Sequence, residues 1–286
     1  MAERSPMDRF SRRDLLKGLA AAAVGTAVGA VNHGYMYGRR QLSVTRETLA
    51  VSGLAPELAG LRVGFLTDLH RSDTVTHEMA TAAVDLLMAE HPDIIMLGGD
   101  YVTWGGGRNR YYVEPAAEAL SPLSAPHGIF AVLGNHDDAR EMPAALAARG
   151  IDVLKDARTQ IDLNGAKLDI AGIQYWTRKV VDIERVIRGA GRNLILLAHT
   201  PSRLIEATAL GVPLVLSGHT HGGQIVLPGL GAVAAKEFPV IAGSARREAT
   251  AIFVSRGVGT VYVPIRLNCP PEVALLTLQP VDPTSG

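Results

Sequence analysis

Five short apolar runs in this 286-residue chain each end abruptly in a cluster of metal-binding side chains, and no other feature constrains the fold as much. Residues 61–67 lead into Asp68-Leu69-His70, residues 93–97 into Gly98-Gly99-Asp100, and residues 128–133 into Gly134-Asn135-His136-Asp137. Residues 194–197 lead into Ala198-His199-Thr200-Pro201, and residues 214–216 into Ser217-Gly218-His219-Thr220-His221-Gly222-Gly223. Continuous apolar runs of this kind read as strands buried on both faces. Between and around them, residues 76–88, 142–149, 183–188 and 202–210 have helical apolar spacing. A hairpin is predicted over 161–171 with its turn at Asn164-Gly165, and further strands at 224–226, 251–254 and 273–278. An alternating front half and a strand-rich back half predict an α/β fold, a two-sheet β-sandwich flanked by helices. Ligands bind outside the carboxyl ends of such strands, so the five clusters should converge on one crevice.

Composition narrows the chemistry. With 47% hydrophobic and 20% charged residues the chain as a whole cannot be disordered, and 5% aromatics leave Val, Leu, Ile and Ala to build the core. Lys+Arg 28 balances Asp+Glu 28, which removes the electrostatic pull toward nucleic acid. The single cysteine, Cys269, excludes an intrachain disulfide and a multi-cysteine zinc site, so any metal must be held by His, Asp, Glu or Asn. Five of the nine histidines lie in the strand-end clusters; His33, His77, His91 and His127 read as solvated surface residues.

Each cluster alone is a weak signal, because an aspartate at a strand end commonly caps a helix, and His199 alone reads equally well as a hydrogen-bonded core residue. Their order is a strong one. D-x-H, then G-D, then G-N-H-D, then H, then G-H-x-H resembles the calcineurin-like metallophosphoesterase family over residues 61–278. Residues 218–225, with Ser255-Arg256-Gly257-Val258-Gly259 and Pro270-Pro271-Glu272-Val273, resemble its exported bacterial branch. The resemblance implies an αββα sandwich and two divalent cations, one held by Asp68, His70, Asp100 and His221, the other by Asp100, Asn135, His199 and His219. It further implies His136 as general acid, and hydrolysis of a phosphodiester or pyrophosphate in a small molecule or lipid, such as a glycolipid or sugar-nucleotide of the cell envelope; the alternatives are a phosphomonoesterase (protein phosphatase or nucleotidase) and a non-catalytic scaffold.

The chemistry of the residues agrees. Diester cleavage needs two nonbridging oxygens neutralised, a hydroxide at neutral pH and a proton for the leaving alkoxide, and two cations about 3.5–4 Å apart serve the first two needs. Asp100 is the natural bridge, Asn135 keeps the site from becoming too anionic, and an imidazole suits proton donation. Glycines around His219-Thr220-His221 favour a tight loop that aims the two rings at neighbouring metals. Imidazole with carboxylate suits Mn²⁺, Fe, Co²⁺ or Zn²⁺; of these Mn²⁺ is expected, since cytoplasmic loading before export would shield it from tighter-binding metals. Thr103 stands where many relatives carry a second aspartate, so its hydroxyl is expected to replace or weaken that contact. Asp138 reads as a helix cap, while Asp137 reads either as a partner of His136 or as a cap. The aromatic, cationic stretch 104–112 suits a cap over a phosphate or sugar-nucleotide.

At the N-terminus a basic stretch precedes an apolar run, 18–31, in the layout of a signal peptide, and Ser11-Arg12-Arg13-Asp14-Leu15-Leu16-Lys17 resembles the twin-arginine translocation motif. The expected organisation is a signal or anchor over 1–31, a loosely ordered link and lead-in over 32–60, and the catalytic domain over 61–280. The twin-arginine machinery is then a partner, and the location is the periplasm or the outer face of the cytoplasmic membrane, with the membrane itself a partner if the run is an anchor.

Overall fold

The computed structural model describes residues 11–103 and 110–281. Helix α1 (Arg12–Met36) is followed by β1 (Ser43–Val51), β2 (Arg62–Leu66), α2 (His77–Met88), β3 (Ile94–Leu97), α3 (Arg110–Leu120), β4 (Ile129–Ala131), α4 (Glu141–Ala147) and β5 (Asp152–Val153). The chain continues through β6 (Ala157–Leu163), β7 (Ala166–Ile173), α5 (Val180–Ile187), β8 (Leu194–Ala198), α6 (Leu204–Ala209) and β9 (Leu214–Ser217). A short pair, β10 (Val226–Leu227) and β11 (Gly231–Ala232), precedes β12 (Gly243–Arg247), β13 (Thr250–Val254) and β14 (Glu272–Pro280).

Two six-stranded sheets result, in the orders β1-β14-β2-β3-β4-β5 and β12-β13-β9-β8-β7-β6. Strands β2 to β5 are mutually parallel, as are β7, β8, β9 and β13. Strand alternation divides the apolar runs between layers. Ile94 and Met96 of β3 join Ile195 and Leu197 of β8 in the core between the sheets, where Phe65 meets Phe253 edge-on at 6.3 Å. Ile95 and Leu97 face the other way, against Val84 and Leu87 of α2 and residues of α3 and α4. Leu194 and Leu196 likewise meet Ile183 of α5 and Leu204 of α6. The fold is therefore the α/β two-sheet sandwich flanked by helices that the sequence implied.

Two readings need correction. Residues 32–48 are not a loose link: α1 runs to Met36, Gly34, Gly38 and Arg39 are buried, and β1 pairs in parallel with β14 from Ser43↔Glu272 to Val51↔Pro280. β1 is a polar edge strand with one largely solvated face, so it lacks the apolar signature of its neighbours. Gln224 is not in a strand either; it has φ 57, Ile225 makes an isolated parallel bridge with Leu267, and the strand begins at Val226. Of the cap assigned to 104–112, residues 104–109 lie outside those described, as do residues 1–10 of the basic N-terminal stretch, while Arg110, Tyr111 and Tyr112 open α3.

Candidate metal centre

Each parallel strand delivers its ligand-type residues by turning sharply just past its carboxyl end. Asp68, His70, Asp100, His219 and His221 all have φ between 50 and 72, a left-handed conformation that costs a side-chain-bearing residue on the order of 1 kcal/mol or more. Surrounding hydrogen bonds hold it: Asp68 N–H donates to Gly99 O (2.9 Å) and His70 N–H to Asp100 O (3.0 Å), extending the β2–β3 pairing into the loops. Two glycines permit the close approach. A Cβ on Gly134 would lie 2.0 Å from Asp100 Oδ1, and one on Gly218 would lie 2.1 Å from Asp68 Oδ2.

Among the described residues, two groups bring three ligand atoms each within reach of one ion, Asp68 with His70 and His221, and Asp100 with His199 and His219. In the first, His70 Nε2 is 3.1 Å from His221 Nε2, and Asp68 Oδ1 is 3.9 and 3.4 Å from those nitrogens. In the second, His199 Nε2 is 3.1 Å from Asp100 Oδ2 and 3.2 Å from His219 Nδ1. Asp100 Oδ2 also lies 3.6 Å from His70 Nε2, so one carboxylate oxygen stands near nitrogens of both groups. Asn135 Oδ1 is a buried acceptor with no hydrogen-bond partner among the described residues, an arrangement that a bound cation satisfies. The donor set therefore fits two divalent ions.

The electrostatics prepare three of the four histidines as ligands. Burial pushes His70 and His219 down to about 3 and His221 well below its ordinary value, so these imidazoles offer lone pairs rather than protons. Burial raises Asp68 to about 6. For Asp100 burial works in the same direction, but the charge and hydrogen bond of His199 outweigh it and hold the carboxyl well below its usual range. Burial opposes a charged His199, and Asp100 overcomes this, raising it to about 10. His199 Nδ1 lies 2.8 Å from Gly98 O; donation there leaves Nε2 turned toward Asp100. His136 stands beside the cluster, its Nε2 4.0 Å from Asp100 Oδ2 and its ring edge-on to His70 at 5.0 Å, where burial lowers its pKa.

Several supporting residues were not assigned from sequence. Asp137 neither orients His136 nor caps a helix: its carboxylate accepts from the amides of Gly134 (2.9 Å), Asp100 (2.8 Å) and Tyr101 (2.7 Å), tying two ligand loops together. Asp138 does cap α4, accepting from Arg140 N–H and Glu141 N–H at 2.8 Å. Thr103 Oγ1 lies 3.2 Å from His70 Nδ1, so the hydroxyl occupies the place expected of a second carboxylate. Arg266 is fully buried behind His221, its Nη2 3.3 Å from His221 Nδ1, its Nη1 3.9 Å from Cys269 Sγ, and its remaining contacts backbone carbonyls such as those of Gly257 and Gly259. Tyr175 and Phe238 pack on His219 at 5.3 and 5.2 Å. Tyr175 had a faint signal, an aromatic pair directly past a strand; Arg266 and Phe238 had none.

Imidazole and carboxylate paired at the strand ends of a two-sheet α/β sandwich define a metal-dependent phosphoesterase. The chain belongs to the calcineurin-like phosphoesterase family, which it matches over residues 61–223, and is a hydrolase of phosphoric esters. It is 31% identical over 284 residues to the phosphodiesterase YaeI of Escherichia coli, covering 94% of this chain and 99% of that one. It is 29% identical over 286 residues to the metallophosphoesterase YkuE of Bacillus subtilis, with 96% and 99% coverage. A Bos taurus transmembrane protein with a metallophosphoesterase domain is 27% identical over 292 residues, which span 94% of this chain and 64% of that protein.

Proposed function

We propose that this chain is a dimetal phosphodiesterase of the cell envelope. Asp68, His70, Asp100 and His221 hold one cation and Asp100, Asn135, His199 and His219 the other. The observation that carries the reading is Asp100 Oδ2, which lies within 3.6 Å of ligand nitrogens from both groups, beside the unpartnered Asn135 Oδ1. Two bound divalent ions supply Lewis acidity toward the nonbridging oxygens and a hydroxide nucleophile at neutral pH. The chain's own residues do the rest. Asp100 fixes the spacing of the two groups, and Asn135 limits the negative charge an incoming phosphate meets. His136 gives its proton to the leaving alkoxide oxygen, and burial, by lowering its pKa, makes that proton easier to release. Tyr175 and Phe238 shield the His219 side from water.

Mn²⁺ is the proposed metal, because mixed imidazole, carboxylate and carboxamide ligation accepts it and twin-arginine export carries an already folded, loaded protein past competing metals. The substrate is a glycolipid or sugar-nucleotide diester or pyrophosphate. The test is hydrolysis of bis(p-nitrophenyl) phosphate against p-nitrophenyl phosphate by metal-stripped protein reconstituted with Mn²⁺, with Asp100→Asn beside it. Diester turnover is expected, with both turnover and metal content lost in the variant; monoester preference, or two metals retained without Asp100, would overturn the reading.

A further inference from the structure

The foot of α1 is built into the wall of the metal site. α1 is long and apolar enough to cross a membrane; its 25 residues, at about 1.5 Å each, span on the order of 37 Å against a hydrocarbon core of about 30 Å. Leu15, Leu16, Leu19, Val24, Val28 and Val31 are all more than half exposed, so this face is left uncovered by the described residues. Only the last turn docks. Arg266 N–H donates to Gly34 O (3.3 Å), and Cβ atoms on Gly34 and Gly38 would lie 2.7 Å from Ile265 Cγ2 and 2.1 Å from Arg266 O. The buried Arg39 guanidinium donates to Tyr35 O (2.7 Å) and to Thr74 O (2.9 Å).

Those contacts join α1 to the two clefts that flank the metal cluster. One, of about 500 Å³, is lined by Thr74, Thr103, Tyr112 and His136; the other, of about 380 Å³, by His219, His221, Val233 and Phe238. Val261, Tyr262 and Val263 line both. This loop continues through Pro264 directly into Ile265 and Arg266, the residues that clasp α1. Tyr262 is 93% exposed and sits at φ 61, a strained conformation for an aromatic residue, and Val263 is 45% exposed. Exposed Tyr35, Met36 and Tyr37 occupy the same end of α1. Tyrosines gathered where an apolar helix ends are the pattern of a membrane–water boundary. A helix spanning the bilayer therefore sets the loop between the two clefts at headgroup depth.

We propose that the 260–266 loop rests in the membrane interface beside α1, so that the ester brought to the metal cluster belongs to an amphiphile whose chains stay in the bilayer, not to a soluble nucleotide. This rests on the phosphodiesterase reading for its chemistry, and on α1 and the loop for its geometry, so the two are tested separately. For geometry, the full chain carrying Trp104→Phe, Trp176→Phe and Tyr262→Trp is reconstituted in phosphatidylcholine vesicles with brominated acyl chains. Emission from the single indole that Tyr262→Trp introduces is expected to be quenched, while that of an indole placed instead by Asn164→Trp, on the β6–β7 turn at the opposite end of the sheet, is not; equal emission from both sites would overturn the placement. For chemistry, Mn²⁺-loaded full-length protein in vesicles is given ethyl p-nitrophenyl phosphate in solution and hexadecyl p-nitrophenyl phosphate in the bilayer. Binding energy from the remote chain should favour the hexadecyl ester by about tenfold or more in kcat/KM. Tyr262→Asp should lower that ratio. Equal rates, or a ratio indifferent to Tyr262→Asp, would return the substrate to solution and overturn the proposal. Hydrolysis of neither ester would remove the phosphodiesterase reading and with it the substrate class, whereas the quenching result decides the loop's position on its own.

Discussion

Asp137 shows how a residue with no ligand role governs ligand geometry. Its carboxylate is the common acceptor for the amides of Gly134, Asp100 and Tyr101, so the loops carrying Asn135 and Asp100 cannot move apart without breaking hydrogen bonds. Asp137→Ala would remove the acceptor of these three amides and of the longer-range Val102 amide (3.4 Å), at about 1–3 kcal/mol for each left unpaired, so a loss on the order of 3 kcal/mol or more is expected in urea unfolding, together with lowered metal content. A loss under about 1 kcal/mol would mean that water replaces the carboxylate. His136 predicts the opposite pattern. Its imidazole stands 4.0 Å from Asp100 Oδ2 at the edge of the cluster, and its backbone amide, which donates to Asp100 Oδ1 (2.8 Å), survives truncation, so His136→Ala should keep both metals while slowing diester turnover on the order of 10²–10⁴-fold, most with poor leaving groups. Unchanged turnover with a poor leaving group would reassign the proton donor. At this scale the sequence was informative about ligands, since Asp68, His70, Asp100, Asn135, His199, His219 and His221 all lie at the strand ends. It misplaced Asp137 and was silent about Arg266, whose partners are chiefly backbone groups that only folding brings near.

Among elements, the apolar strands announce themselves because burial on both faces removes the need for polar positions. β1 does not, because an edge strand beside β14 keeps a solvated face and a polar composition. α1 also combines two signals. Its capping box, with Ser11 and Asp14 bonding each other's amides, starts the helix inside the same stretch that carries Arg12 and Arg13. If that pair is read by the twin-arginine machinery, replacing both with lysine keeps the charge but removes the planar guanidinium, and the protein should stay in the cytoplasm. Fractionation showing the variant in the envelope at the normal level would point to another route.

For the whole molecule, the convergence of two sheets creates a charge balance that no single motif contains. His199 is raised to about 10 by Asp100, so in the metal-free fold it is protonated at neutral pH, and the stabilisation from this pair is present below the ordinary imidazole range and lost as pH rises through about 10. Metal loading must displace that proton. About one proton should be released per chain near pH 7.5, and apparent affinity should rise by up to about tenfold per pH unit over the range where His199 is protonated. Below about 6 a second proton, on Asp68, adds to the competition and steepens the loss. Calorimetry in buffers of different ionisation enthalpy measures this directly, and release of no proton would show His199 to be neutral before loading. The sequence by itself determined the layered α/β architecture and which ligand-type side chains stand at the strand ends, because strand periodicity and strand-end chemistry are local properties of the chain. Tertiary structure alone decided that Asp137 and Arg266 fasten the loops, and that the foot of α1 meets the wall of the site. Each of these is a contact between segments far apart in sequence, and close packing of the two sheets is what brings them together.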